Sequence, residues 1–233
     1  PAQGAVAGGG HQRRVIGQAQ IVIAGKGQVV AAVDAYVRAL RAVQHRAAPA
    51  AVVVVQRGQL VLQLRDQPHI TAATGIDAMV HAIEAYTSNI KKNFYADILA
   101  KNALKLLNHN LAKVLKNGAD LEARQNMLVG SMLAGQAFAN APVGAVHALA
   151  YPLGGHFHLS HGHSNALVLV EVLKFNAPKA KQYYAELMQL LDPRSTGCTD
   201  GLCDLFIDHM QNHLDQSGLT LKLKNLDIPE AKL

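Results

Sequence analysis

The sequence predicts a mainly α-helical chain: an all-α bundle over residues 68–233, preceded by an atypical segment over residues 1–67 that is short α/β or poorly ordered. Two observations predict this division. From residue 74 onward apolar residues recur at spacings of three and four, the period of buried helix faces. The composition also changes abruptly near residue 68: seven of nine arginines lie before it, and twelve of thirteen lysines with every Phe and Met lie beyond it. Tyr36 is the only aromatic residue of the first segment. With 233 residues, half of them hydrophobic, the chain has material for one large domain or two small ones.

The first segment contains a partial nucleotide motif. An apolar run from Ala19 to Ala24 leads through Gly25-Lys26-Gly27 into a helix-like stretch from Val29 to Val43. That is the order of a strand, a glycine turn and a helix whose N-terminus can hold a pyrophosphate. Val30 replaces the third glycine, and the next apolar run, Ala51 to Val55, ends in Gln56 rather than in an acid for a ribose, so the match is weak. Val52 to Leu64 reads as a hairpin turning at Arg57-Gly58.

In the second segment Ile76, Met79, Val80, Ile83 and Tyr86 form the buried face of a first helix. A second runs from about Tyr95 to Asn117, with Leu104, Leu107, Leu111, Val114 and Leu115 on one side and Gly118 as its stop. Asp120 caps a third reaching about Asn140, in which Gly130, Ser131, Ala134, Gly135 and Ala139 permit close approach of a neighbour. His147 lies on a short helix that Pro152 and Gly154-Gly155 bring to an end. Ser164 to Asn176 and Asp200 to Gln216 are further helices.

Other classes fit poorly. The longest apolar run, about Ala47 to Val55, falls short of the roughly 20 residues that cross a bilayer, and no leader-like pattern opens the chain, so we expect a soluble, cytoplasmic protein without a membrane partner. The formal charge of +6 comes from scattered Lys and Arg with no basic stripe interleaved with aromatics, which argues against nucleic acid. Cys198 and Cys203 match neither a redox pair nor a zinc cluster and read as buried free thiols.

Candidate chemistry lies in two places. Asp77 and His81 are four residues apart, on one stripe of the first helix beside its apolar face, and a carboxylate and an imidazole there suit a divalent transition metal. Glu84, one turn on, orients a ligand or is a helix-surface acid, and the spacing favours the surface acid. The second place is Val146 to Asn165, which holds five of the twelve histidines. His147 with one of His156, His158, His161 and His163 would complete a site, and spacing does not choose among the four. His209 and His213 are also four apart, beside the buried Phe206, Met210 and Leu214, without a further ligand in view.

Thr71-Ala72-Ala73-Thr74-Gly75-Ile76-Asp77-Ala78-Met79-Val80-His81-Ala82-Ile83-Glu84-Ala85-Tyr86 resembles the first metal signature of the iron-containing (group III) alcohol dehydrogenases, T-x-A-T-G-x-D-A-x-x-H-A-x-E-A-Y. Their second signature, H-A-x-x-H-P-x-G with a later P-H-G-x-x-N, is similar to His147 through Asn165. The likeness covers roughly residues 68–233 and implies a dehydroquinate synthase-like helical domain with metal ligands Asp77, His81, His147 and His161. Tyr151 stands where the family has a histidine near the nicotinamide, which makes it the candidate catalytic residue, and Ser160 replaces a frequent proline. The family's cofactor signature, G-G-G-S-x-x-D-x-A-K, is reproduced neither at Gly8-Gly9-Gly10-His11 nor at Gly25-Lys26-Gly27. We therefore expect residues 1–67 to be a remnant or replacement of a dinucleotide-binding domain, as a shifted reading frame in GC-rich DNA would produce, and the helical domain to be truncated at its C-terminus.

The resemblance implies hydride transfer between a primary or secondary alcohol and NAD or NADP, with iron(II), or zinc in its place, polarising the oxygen of the alcohol, aldehyde or ketone. A homo-oligomer is compatible with it. Two rival readings are a metal-binding helical fragment without dehydrogenase activity, and a metal-dependent lyase resembling dehydroquinate synthases.

Overall fold

A computed structural model describes residues 67–226, which form six α-helices and one short 3-10 turn. They are α1 (Pro68–Thr87), α2 (Phe94–Lys116), α3 (Leu121–Asn140), α4 (Ala145–Phe157), α5 (His161–Leu191) and α6 (Thr199–Gln216). The partial nucleotide motif and the hairpin of the first segment lie outside the described residues.

Helix α1 organises the bundle, packing against α2, α3 and α5, while α4 and α6 both pack on α5. Its sequence explains that central place. Pro68 opens the helix where a missing N–H costs nothing, and Ala72, Ala73, Ile76, Met79, Val80, Ala82, Ile83 and Ala85 leave almost no side exposed. A helix apolar nearly all round is stable only when neighbours surround it. Leu104, Leu107, Leu111 and Val114 of α2 meet it in the core, as their spacing predicts, with Leu115 at the margin. Across the bundle Tyr184 of α5 stacks on Phe206 of α6.

The caps read from sequence agree with the structure at α3, where the Asp120 carboxylate accepts from the Ala123 amide at 2.9 Å. Asn93 does the same for α2, accepting from the Ala96 amide at 2.9 Å. Asp97, half-buried, pairs with Lys92, and the exposed Asp200 pairs with Lys181.

Two helices run further than predicted. Helix α4 continues through Pro152 to Phe157 and ends at His158, whose φ of 57° is left-handed. Helix α5 begins at His161 rather than Ser164 and passes through Pro178 to Leu191. Proline removes one hydrogen bond, but the buried faces stay in register across both: Val146, Ala150 and Leu153 in α4, and Leu169, Leu173, Ala180, Tyr184 and Leu187 in α5. Packing of those faces outweighs the local break.

Two smaller expectations also fail. Cys203 is buried, but Cys198 is exposed and caps α6, its Sγ accepting from the Gly201 amide. Of the small residues of α3, Gly130 lies against Leu107 and the Ala103 carbonyl, whereas Gly135 has open space and Ser131 and Ala139 are exposed. The close-approach stripe is instead Ala123, Gly130, Ala134 and Ala137.

Candidate metal centre

Three helices bring the site together. Asp77 and His81 lie one turn apart on α1, His147 is in the first turn of α4, and His161 is the first residue of α5. One donor atom from each of the four residues can be chosen so that all lie within 4.8 Å of one another. Asp77 Oδ1 is 3.6 Å from His147 Nε2 and 3.5 Å from His161 Nε2, with His81 Nδ1 4.0 Å away. In a tetrahedron with bonds of about 2.1 Å, ligand atoms stand roughly 3.4 Å apart, so three imidazoles and one carboxylate at these separations fit a four-coordinate divalent ion.

The approach of α5 to α1 depends on Gly162. A Cβ there would stand 2.2 Å from the Ala73 carbonyl oxygen, so only glycine lets the start of α5 lie against the backbone of α1 and carry His161 to Asp77. The histidine rings pack around the cluster. His81 stacks between Phe138, at a centroid distance of 4.4 Å, and His147, at 4.5 Å. Tyr151 is 60% exposed and stacks on His161 at 6.0 Å, at the open side of the cluster.

Glu84 is not the helix-surface acid that the spacing favours. It is buried, one carboxylate oxygen pairing with His147 Nδ1 at 2.7 Å and the other accepting from the Val146 amide at 2.7 Å. It thereby orients the ring with Nε2 toward Asp77, and it also satisfies an amide at the start of α4, whose N-cap Gly144 has no side chain to offer. Sequence periodicity placed Glu84 beside Asp77 and His81, but not the neighbour that covers it.

Asn165, part of the second motif and given no role above, completes the cluster from one turn into α5. It is wholly buried, and its Nδ2 donates to Asp77 Oδ1 at 2.6 Å. The other three histidines of this stretch are engaged elsewhere: His163 donates to the Thr220 carbonyl, His156 lies edge-on to Phe157, and His158 terminates α4. His209 and His213 share a single acceptor, Asn108 Oδ1, at 2.6 and 2.7 Å, and join no ligand cluster among the described residues.

The electrostatics follow from crowding charges in a half-buried place. Burial opposes ionisation of Asp77, but the hydrogen bond with His147 and the charges of His81 and His161 outweigh it and hold the carboxyl below its usual range. Burial, with the neighbouring histidines, lowers His81 to about 4 despite Asp77. Burial works against protonation of His147 too, yet its bonds to Asp77 and Glu84 raise it to about 9.

Residues 71–233 match the family described as Fe-containing alcohol dehydrogenase, C-terminal. The chain belongs to the iron-containing alcohol dehydrogenase family. Long-chain-alcohol dehydrogenase 1 of Geobacillus thermodenitrificans is 40% identical over 167 residues, 71% of this chain and 42% of that protein. The crystal structure of a 1,3-propanediol oxidoreductase superposes with a TM-score of 0.69 at 35% identity, over 73% of this chain and 45% of the other. A sulfoacetaldehyde reductase from Bifidobacterium kashiwanohense, solved in complex with NAD+, superposes with a TM-score of 0.61 at 28% identity, over 71% and 42%. The chain thus spans less than half the length of these relatives. The stretch matched to the family contains the clustered Asp77, His81, His147 and His161, as well as Glu84, Tyr151, Gly162 and Asn165.

Proposed function

We propose that Asp77, His81, His147 and His161 hold one divalent ion, iron(II) or in its place zinc, and that the chain is the metal-binding half of an NAD(P)-dependent alcohol dehydrogenase. The observation that carries this reading is the convergence of four donor atoms from three helices within 4.8 Å. An ion held there supplies Lewis acidity toward the oxygen of a primary or secondary alcohol, or of the aldehyde or ketone formed from it.

The chain's own groups prepare for that chemistry. Glu84 accepts from His147 Nδ1–H, which leaves Nε2 free to ligate and makes the imidazole more basic. Asp77 would contribute a negative charge and His81, His147 and His161 neutral imidazoles; with four protein donors in place, the substrate oxygen would enter as a fifth ligand. Tyr151, exposed beside His161, presents a phenol where the family has a histidine, so we assign it to contact with the nicotinamide or with the proton of the substrate hydroxyl. NAD or NADP is supported by the family and by the NAD+ complex of one relative.

A second reading is favoured by the absence of the glycine-rich cofactor signature from residues 1–67: a metal-binding helical fragment that does not turn over alcohols. NADH fluorescence titration and alcohol oxidation by the iron- and zinc-loaded chain separate the two. Saturable NADH binding with turnover of a short diol or a long-chain alcohol is the expected result. Metal uptake without NADH binding would leave only the fragment reading.

A further inference from the structure

Asn165 is the most deeply buried polar side chain touching the cluster, at 0% exposure, and it is not a ligand by type. Its Nδ2 is 2.6 Å from Asp77 Oδ1 and 3.3 Å from both His147 Nε2 and His161 Nε2, so one amide group faces three of the four candidate donor atoms. Its Oδ1 is the one buried side-chain polar atom among the described residues without a hydrogen-bond partner. Burying an amide oxygen unpaired is unfavourable, and an aliphatic side chain of equal volume would avoid it. The position therefore answers to a demand other than packing, and only the N–H groups are in use.

The demand is visible in the geometry. A carboxylate has two oxygens and rotates, whereas a metal ligand must offer one lone pair in a fixed direction. The Nδ2–H donated to Asp77 Oδ1 fixes that rotation from the α5 side, as Glu84 fixes His147 from α1. Both His Nε2 atoms are acceptors that an ion would occupy, while Asp77 Oδ1 has a second lone pair and can keep the amide bond with an ion present.

We propose that Asn165 is a positioning residue of the metal site, its amide aiming the Asp77 carboxylate at the ion. This rests on the reading of Asp77, His81, His147 and His161 as ligands. Glu84 and Asn165 then form a matched pair of supports, one for an imidazole and one for the carboxylate, reaching the ligands from α1 and α5.

The test is the affinity of the full chain for Zn2+, measured by competition with a chelating dye at pH 7.5, for the native protein, N165L and N165A. N165L keeps the side-chain volume and removes the unpaired oxygen together with the donor. The expected result is Zn2+ binding weakened about 10–100-fold in both variants, the usual size of a lost supporting contact. Metal-free N165L should keep its helical circular dichroism and melt no lower than the native chain. Native-like affinity, or tighter binding, in a folded N165L would overturn the inference while leaving the four ligands in place. A melt of metal-free N165L lowered as much as its affinity would also overturn it, since the amide would then support the fold rather than the ion. Absence of Zn2+ binding by the native chain would overturn the ligand assignment, and this inference with it.

Discussion

Glu84 joins two jobs in one carboxylate, and removing it should show both. E84A strips a buried imidazole and a buried amide of their acceptor, which predicts a loss of about 1–3 kcal/mol in urea unfolding of the metal-free chain. E84Q restores an acceptor for only one of them and should fall between the two. His213 gives a pH test away from the cluster. Burial, with the charge of His209, lowers it to about 4 from the usual 6.5, so the native state disfavours its protonated form. Between those values the unfolded chain binds the extra proton, and stability is full above about pH 6.5 and lost as the pH falls toward about 4. Thermal melts at pH 7.5 and 5 should show a fall that is smaller in H213F. At this scale the sequence made Asp77 and His81 legible as a pair, because helical spacing alone puts residues four apart on one stripe. It left Glu84, Asn165 and the choice among His156, His158, His161 and His163 open, since each depends on which neighbouring helix arrives and at what distance.

At the scale of the helix, boundaries set by local chemistry were readable and those set by packing were not. The Asp120 cap could be read because a side-chain oxygen acts on its own backbone, and the end of α2 was placed within two residues, at Lys116 with Asn117 as its cap. D120A should lower stability by about 1 kcal/mol, measured by denaturant titration. The passage of α4 through Pro152 and of α5 through Pro178 was not readable, because what keeps those helices going is the alignment of Ala150 with Leu153, and of Leu173 with Ala180, against partners distant in sequence. Gly162 belongs to the same class: its lack of a side chain matters only because α1 lies where a Cβ would be. G162A must push α5 away from Ala73, which predicts a cost of about 1–3 kcal/mol and loss of metal uptake even where helix content is retained. Circular dichroism together with metal analysis checks both.

For the molecule as a whole, three of the six described helices meet at the proposed metal site. The candidate ligands come from α1, α4 and α5, while α4 meets the rest of the bundle chiefly through α5. An ion bound there links the three helices and, by mass action, stabilises the folded chain by about 2.7 kcal/mol at a hundredfold excess over its dissociation constant. Chelation should therefore lower the melting temperature and zinc restore it. The mainly helical fold of residues 67–226 was legible from periodicity, and the four residues that the structure clusters were singled out by two motifs that the family resemblance tied together. The measurement that bears most directly on the account is metal content by mass spectrometry, on chain purified anaerobically, of the native protein beside an H147A/H161A double variant. About one equivalent of iron or zinc in the native chain and none in the variant is the predicted result; equal metal in both, or none in the native chain, would contradict it.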